Sequence, residues 1–167
     1  MPEIDAYPWV GAFDDLGPND SFLVAQLVVD GGAVVGDVKQ LAGRLKKAQM
    51  IALLPEQGTD RIIGVASQKS PDRRYRMNRF SDAGVEITGY EAAPELGYVV
   101  VAKDMRGRQL SGRLVELIAG KIREPAFATT DSDTMKNNLL RSGFIRVGRE
   151  WKGKKGALSL WTLTPDN

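Results

Sequence analysis

One stretch decides the fold: Glu95-Leu-Gly-Tyr-Val-Val-Val-Ala-Lys-Asp-Met-Arg-Gly-Arg-Gln-Leu-Ser-Gly-Arg-Leu-Val-Glu-Leu-Ile118. The apolar run from Tyr98 to Ala102 predicts a buried strand, and the leucines and isoleucine after Gln109 are spaced as one face of a helix. A loop rich in glycine and arginine, residues 106–112, lies between them. Because the first N–H groups of a helix have no intrahelical partner, this arrangement predicts an anion site. The phosphates of a nucleotide or of coenzyme A are its natural occupants.

The composition excludes several kinds of chemistry. The 167 residues are 43% hydrophobic and 26% charged, with a formal net charge of +2, which is ordinary for a soluble globular protein. The length suits one domain over residues 1–167. Cysteine and histidine are absent, so thiol nucleophiles, disulfides, imidazole bases and histidine-ligated metals are excluded. We expect no metal site.

The N-terminal residues help to predict where in the cell the protein is located. Met1 to Trp9 are acidic and interrupted by prolines, unlike a signal peptide. The apolar run from Phe22 to Val29 is too short to cross a bilayer, and the lack of cysteine fits a reducing compartment. We therefore expect a soluble, cytoplasmic protein without a membrane anchor.

Periodicity and turn residues divide the chain into alternating helices and strands. Residues 1–21 read as an irregular lead-in, and Phe22–Val29 fits either a strand or a buried helix. We expect helices over 37–47, 71–80, 110–122 and 131–141, hairpins at 50–67 and 144–163, and further strands at 86–90, 98–102 and 125–129. This order predicts an α/β (α+β) fold, with a mixed, mostly antiparallel central sheet flanked by helices.

The element order resembles the GNAT superfamily of acyl-CoA-dependent N-acyltransferases, most clearly over residues 50–163. The signature of that superfamily, Q/R-x-x-G-x-G/A, follows its fourth strand and matches Arg106-Gly-Arg-Gln-Leu-Ser111 here. Gln109 replaces the first glycine and Ser111 the second. If Gln109 is helical with its side chain turned outward, its backbone N–H can still donate to a phosphate. The run from Tyr98 to Gly107 is also typical of the superfamily.

A second stretch adds to the resemblance. Phe127-Ala-Thr-Thr, followed by a capped helix that ends in Ser142-Gly143-Phe144, is similar to the fifth strand and the next helix of the superfamily. The asparagine that opens this helix in the superfamily falls at Ser132. The Ser132 hydroxyl either replaces it at the cofactor or serves as a simple helix cap.

The resemblance implies a cleft for acetyl-CoA between the splayed fourth and fifth strands. Backbone groups of Val99 and Val101 would pair with the pantetheine arm, and the N–H groups of 107–112 would hold the pyrophosphate. Apart from this resemblance, an ordinary solvated face is the favoured interpretation of the loop arginines. The implied cofactor residues are Val99, Val100, Val101, Arg106, Gly107, Arg108, Gln109, Leu110, Ser111, Gly112, Arg113 and Ser132.

The resemblance also implies roles in catalysis. Glu95 lies eleven residues before Arg106, where superfamily members that acetylate lysine carry a basic glutamate. The alternatives are a strand-end carboxylate that faces water, with Glu91 as the substitute base or with water in that role. The tyrosine that protonates the departing thiolate in the superfamily falls at Leu139, which cannot donate a proton. Water would then protonate the thiolate, or it would leave unprotonated.

Three functions remain open at this stage. The first is an N-acetyltransferase in which a primary amine, on a small molecule or a protein, attacks acetyl-CoA directly in a ternary complex. The second is a degenerate GNAT domain that binds CoA or a partner with little turnover. The third uses the basic segment Arg73–Arg79 on a nucleic acid, although a solvated helix is the simpler interpretation at this net charge. The oligomeric state is open, with a homodimer among the alternatives.

Overall fold

A computed structural model describes residues 8–31 and 36–165, and over these residues the strands form one open sheet. The strands are β1 (Trp9–Gly11), β2 (Met50–Pro55), β3 (Ile62–Lys69), β4 (Glu95–Val101), β5 (Ala126–Thr130), β6 (Ile145–Lys152) and β7 (Ala157–Leu163). They lie in the order β1-β2-β3-β4-β5-β7-β6. Neighbouring strands are antiparallel except for β4 and β5, which are parallel. The mixed, mostly antiparallel sheet is therefore confirmed.

Helices cover both faces of the sheet. They are α1 (Pro18–Asp30), α2 (Val38–Lys46), α3 (Arg73–Ala83), α4 (Leu110–Ala119) and α5 (Asp133–Arg141), with short 3₁₀ helices at Phe13–Asp15 and Lys103–Met105. One core cluster joins α4 and α5 to one face, and a second joins α1 and α2 to the other. α3 covers β5 and β7 through Phe80, Phe127 and Leu160. None of these helices is long and apolar enough to span a bilayer.

Local signals place most elements correctly. Asp37 caps α2 with a complete capping box to Gln40, and Asp72 caps α3 by accepting from the Tyr75 N–H at 2.7 Å. Both predicted hairpins form. α4 ends at Ala119, earlier than predicted, because Gly120 follows it.

Three predictions needed the structure to correct or settle them. The run Phe22–Val29 is helical and belongs to α1, which begins at Pro18. The lead-in is not irregular over residues 8–21, because Trp9 pairs with Leu53 as an edge strand; residues 1–7 lie outside the described part. The strand predicted at 86–90 was wrong. The chain turns there, with the Tyr90 N–H donating to Ile87 at 2.7 Å.

Candidate cofactor cleft and acceptor site

β4 and β5 meet at one end and then diverge. Their one registered pair over the described residues joins Glu95 to Phe127, and the Phe127 N–H donates to the Pro94 carbonyl at 3.0 Å. From there β3 alone borders β4 within the described chain, so the other edge of β4 presents backbone groups to a gap. The predicted cleft between splayed fourth and fifth strands is confirmed.

A β-bulge bends β4 beside this gap. The register with β3 shifts between Val65 and Ser67, so Tyr98 and Val99 both lie opposite Ala66. Tyr98 has a φ of 50°, in the left-handed region that residues other than glycine rarely adopt. Tyr98 packs with the α1 and α2 cluster, and Val99 packs with the α4 cluster. Successive side chains of a strand point to opposite faces of the sheet, and Tyr98 and Val99 keep this alternation at the bulge.

The gap opens into a cleft of about 480 Å³ between β4, α4 and α5. The predicted cofactor residues that line it are Val99, Val100, Val101, Arg106, Gly107, Gln109, Leu110, Ser111 and Ser132. Arg108 and Arg113 do not line it. Both are exposed, and they border a separate groove beside Leu54 and Glu56. Gly112 faces α5, where a Cβ would lie 3.0 Å from Asn138 Oδ1.

Gln109 carries the turn into α4. Its φ of 61° and ψ of 22° are left-handed, and its side chain makes no capping hydrogen bond. Gly107 has a φ of 84° in the same loop. Gln109 therefore does not adopt the right-handed helical conformation. The turn before α4 needs a residue with positive φ at this position. A glycine adopts that conformation without strain, whereas the glutamine costs about 1 kcal/mol.

A buried network fixes the opening of α4 against α5. Asn138 is 2% exposed, and its amide donates to the Ser111 hydroxyl at 3.0 Å. Its Oδ1 accepts from the Arg141 guanidinium at 2.7 Å. Arg141 also lines the cleft, which places a second cation there with Arg106.

Asn138 and Arg141 were not predicted from the sequence. The signal was available, because residues three apart lie on one face of a helix, and Ser132, Met135 and Asn138 follow that spacing. Ser132 itself caps α5, accepting from the Met135 N–H at 3.3 Å. Its hydroxyl therefore has a structural role and also borders the cleft.

On the opposite face of the sheet, four side chains form an acceptor-side cluster of Lys69, Tyr75, Glu95 and Tyr98. Glu95 is 3% exposed, so it does not face water at the strand end. The Tyr75 hydroxyl donates to its Oε2 at 2.9 Å. The Lys69 ammonium lies 2.9 Å from its Oε1 and 4.4 Å from the Tyr98 ring centroid.

The Lys69–Glu95 contact is an ion pair without hydrogen-bond alignment. Among the described residues, Glu95 Oε1 is a buried oxygen with no hydrogen-bond donor, even though the Lys69 nitrogen is close. This oxygen is thus stabilised by the charge of Lys69 and not by a hydrogen bond from a described residue. Burial, then the charge of Glu95, raises the pKa of the Tyr75 hydroxyl, so Tyr75 stays a neutral donor to that carboxylate.

Arg76 holds α3 against the chain that leads into β4. Its side chain is 7% exposed and donates to the carbonyls of Ala93, Glu91 and Pro71 at 2.9, 2.8 and 2.9 Å. Arg79 pairs with Asp82 at 3.0 Å. Two arginines of the basic segment are therefore engaged within the fold, which leaves Arg73 and Arg74 exposed. The use of this segment on nucleic acid stays a prediction.

Two other predicted positions lie away from the cleft. Leu139 is fully buried in the core cluster of α4 and β7, so it has no route to a thiolate. Glu91 is exposed and accepts from the Gly89 N–H at 3.0 and 3.1 Å. Backbone hydrogen bonds, of Glu91 itself and then of Gly89, lower the pKa of the Glu91 carboxyl, which makes it a weaker base.

Known proteins match this chain in structure. No protein-family model and no curated protein match the sequence. A GNAT-family acetyltransferase from Streptococcus agalactiae has a TM-score of 0.68 at 9% identity, over 96% of both chains. An acyl-CoA N-acyltransferase from Pseudomonas aeruginosa has a TM-score of 0.66 at 12% identity, over 95% of this chain and 99% of that one. N-acetylglutamate synthase from Neisseria gonorrhoeae, solved with coenzyme A and L-arginine, has a TM-score of 0.58 at 15% identity, over 97% of this chain and 34% of that one.

These likenesses concern backbone shape, and they agree with the features already described. The sheet is open and mostly antiparallel, with its one parallel pair over the described residues between β4 and β5. The cleft lies beyond that pair and runs from Val99 to the N-terminus of α4. The chain has the GNAT fold.

Proposed function

We propose that the protein is an N-acyltransferase that transfers the acetyl group of acetyl-CoA to a primary amine by direct attack in a ternary complex. The observation that carries the proposal is the position of Glu95. This buried carboxylate lies at the one residue pair where β4 and β5 meet. It lies with Tyr75 and Lys69 in the acceptor-side cluster, near the point where the two strands diverge. The lack of cysteine favours direct attack and a reducing compartment, which we take to be the cytoplasm.

Backbone groups would hold the cofactor. The free edge of β4 offers N–H and C=O groups of 99–101 to the amides of the pantetheine arm, much as a neighbouring strand would. The loop 107–112 offers unpaired N–H groups at the start of α4 to the pyrophosphate. Arg106 and Arg141 line the same end of the cleft and would balance the phosphate charge.

The reaction needs an uncharged amine. The acceptor ammonium loses a proton, its nitrogen bonds to the thioester carbon, the carbon–sulfur bond breaks, and the thiolate takes up a proton. The buried carboxylate of Glu95 would accept the first proton through water. Tyr75 and Lys69 would position the carboxylate. With Leu139 in the core, we assign protonation of the thiolate to water.

Two observations favour the alternative of a binding domain with little turnover. The Lys69 ammonium already occupies the side of Glu95 that an amine would approach. In addition, α5 presents a leucine where the superfamily has its proton donor. A protein of this kind would bind CoA through the same cleft and release little free thiol.

The test separates binding from turnover. We expect acetyl-CoA to raise the melting temperature and ATP to leave it unchanged. We expect free thiol to be released when amines of different classes are supplied with acetyl-CoA. Stabilisation by acetyl-CoA without thiol release from any amine would select the binding domain. Loss of stabilisation would reject the cofactor assignment itself.

A further inference from the structure

Arg106 lies where the proposed cofactor cleft meets a second cavity. The cleft runs along β4 to the N-terminus of α4. The second cavity, of about 570 Å³, lies against the end of α1. Val100, Val101 and Arg106 line both. The two cavities therefore adjoin along the end of β4, and the side chain of Arg106 lies at their junction.

The Arg106 side chain contacts the edge of β4. Its Nε donates to the Val101 carbonyl at 3.2 Å. The Ala102 N–H donates to the Ile63 carbonyl beside it in β3 at 2.8 Å, and successive residues of a strand direct their backbone groups to alternate sides. The N–H and C=O of Val101 therefore point away from β3, into the gap. The carbonyl that Arg106 contacts is one that we assign to the pantetheine arm.

A short turn brings Arg106 back to the strand. The 3₁₀ helix Lys103–Met105 follows β4. The Arg61 guanidinium, at the start of β3, donates to the Asp104 carboxylate of this turn at 2.8 Å and lowers the pKa of that carboxyl. An ion pair thus holds the turn against β3. The exposed side chain of Arg106 can then change its partner while the backbone of the loop stays in place.

The charge of Arg106 is not matched by a carboxylate. Within residues 8–31 and 36–165 its guanidinium group forms no ion pair. Gly107, the next residue, begins the loop whose N–H groups we assign to the pyrophosphate. A diphosphate bound there would lie near the guanidinium. The side chain would then exchange a neutral carbonyl for an anion, and hydrogen bonds between two charged groups are the stronger kind.

We propose that Arg106 makes the cleft selective for donors that carry a diphosphate, an inference that rests on the proposed function. Because its side chain lies in the cleft, Arg106 competes with the pantetheine arm for the Val101 carbonyl. A diphosphate at the start of α4 attracts the guanidinium and leaves that carbonyl to the arm. A thioester of CoA therefore satisfies both groups. A thioester of pantetheine alone must displace Arg106 without compensation.

Arg106→Met tests both effects, since methionine keeps an unbranched side chain without a donor or a charge. We expect the Kd of CoA to rise about fivefold, because a phosphate loses an exposed cationic partner. We expect the Kd of pantetheine to fall about threefold, because a competing hydrogen bond is lost. Calorimetry measures the first and competition with CoA the second. A pantetheine Kd that is unchanged or higher would overturn the inference.

A measurement on the unaltered protein tests the same exchange. We expect inorganic pyrophosphate to lower the Kd of pantetheine about threefold, and pantetheine to lower that of pyrophosphate by the same factor. Independent binding or competition of the two would overturn the inference.

Lys103→Met is the matched control for this coupling. Lys103 is exposed in the same turn and lines the second cavity but not the cleft. The coupling should persist in Lys103→Met and disappear in Arg106→Met. Equal loss in both variants would overturn the assignment to Arg106.

Binding and turnover distinguish failure of this inference from failure of the proposed function. Opposite shifts of the two Kd values in Arg106→Met, without thiol release from any amine, would support the role of Arg106 and reject the enzyme. Thiol release by the wild type, with pantetheine binding unchanged in Arg106→Met, would reject that role and support the enzyme. A wild type that bound neither CoA nor pyrophosphate would reject both.

Discussion

The proposed cofactor half of the site is built from the backbone of one continuous stretch, residues 99–112, whereas the proposed acceptor half is built from side chains of three separate elements. In the first, the free edge of β4 and the loop before α4 present N–H and C=O groups. In the second, Lys69 of β3, Tyr75 of α3 and Glu95 of β4 meet in a buried cluster. A backbone site tolerates substitution because each residue type supplies the same groups. A side-chain cluster does not.

This difference predicts how each half responds to mutation. Removal of one member of the acceptor-side cluster leaves a buried partner uncompensated. Replacement of a loop residue in the cofactor half changes the conformational preference of the backbone but leaves the N–H in place. Large effects are therefore expected in the acceptor half, and small effects in the cofactor half.

The largest effect is expected for Glu95→Gln. Glutamine preserves the shape and can still accept from Tyr75, but it cannot take a proton from an ammonium. We expect kcat to fall about 10²-fold or more, the usual range for a lost general base, while the affinity for acetyl-CoA stays within about twofold because the cofactor half is untouched. Thiol release and calorimetric titration with acetyl-CoA measure the two quantities.

Glu116→Gln is the matched control for this change. Glu116 is exposed on α4 and does not line the cofactor cleft, so kcat should not change. If Glu95→Gln kept kcat within about threefold, water would be the base and the carboxylate a structural group.

Arg76→Met removes the clamp that orients α3. Three carbonyls would each lose a charged donor in a buried setting, so we expect a loss of roughly 3 kcal/mol in the free energy of unfolding. Urea denaturation measures it. Arg74→Met on the exposed side of the same helix should stay within about 0.5 kcal/mol. Equal losses in both variants would show that helix propensity, and not the clamp, is responsible.

The sequence predicted the cofactor half because its signals are local. The apolar strand, the glycine-bearing loop and the helical spacing all lie within 95–118, and the cleft follows from their order. In the acceptor half Glu95 was predicted, but its contacts with Tyr75 and Lys69 were not, because these members are distant in the chain. Tyr75 is 20 residues from Glu95, and no periodicity indicates that their side chains meet across α3 and β4.

Two other features could not be decided from local signals, for physical reasons. The run Phe22–Val29 is apolar at most positions, so its period could not decide between strand and helix. The position of the proton-donating tyrosine of the superfamily falls at Leu139, which lies in the core. The resemblance gives the residue number, but packing decides which face of α5 points to the cleft.

Tyr75→Phe tests how far the cluster depends on one hydroxyl. We expect a loss of about 1–2 kcal/mol below pH 10, because the buried Glu95 carboxylate loses a hydrogen bond. Burial raises the pKa of Tyr75 above its ordinary value of 10.0, so above that pH the unfolded chain releases a proton that the folded chain retains. The free energy of unfolding of the wild type should then fall above pH 10. Its difference from the free energy of unfolding of the variant should narrow. Urea denaturation between pH 7 and 11 measures it, and a constant gap would contradict the raised pKa.

The smallest effect is expected for Gln109→Gly, in the cofactor half. Glycine relieves the left-handed conformation, a gain of about 1 kcal/mol that is partly offset by its greater freedom in the unfolded chain. We expect a net stabilisation of about 0.5 kcal/mol and a CoA affinity within about twofold, because the backbone N–H remains. Gln109→Ala, which keeps a Cβ in the strained conformation, should not be stabilised. Should both variants lose CoA affinity tenfold, the glutamine side chain itself would contact the cofactor, and the cofactor half would depend on side chains as the acceptor half does.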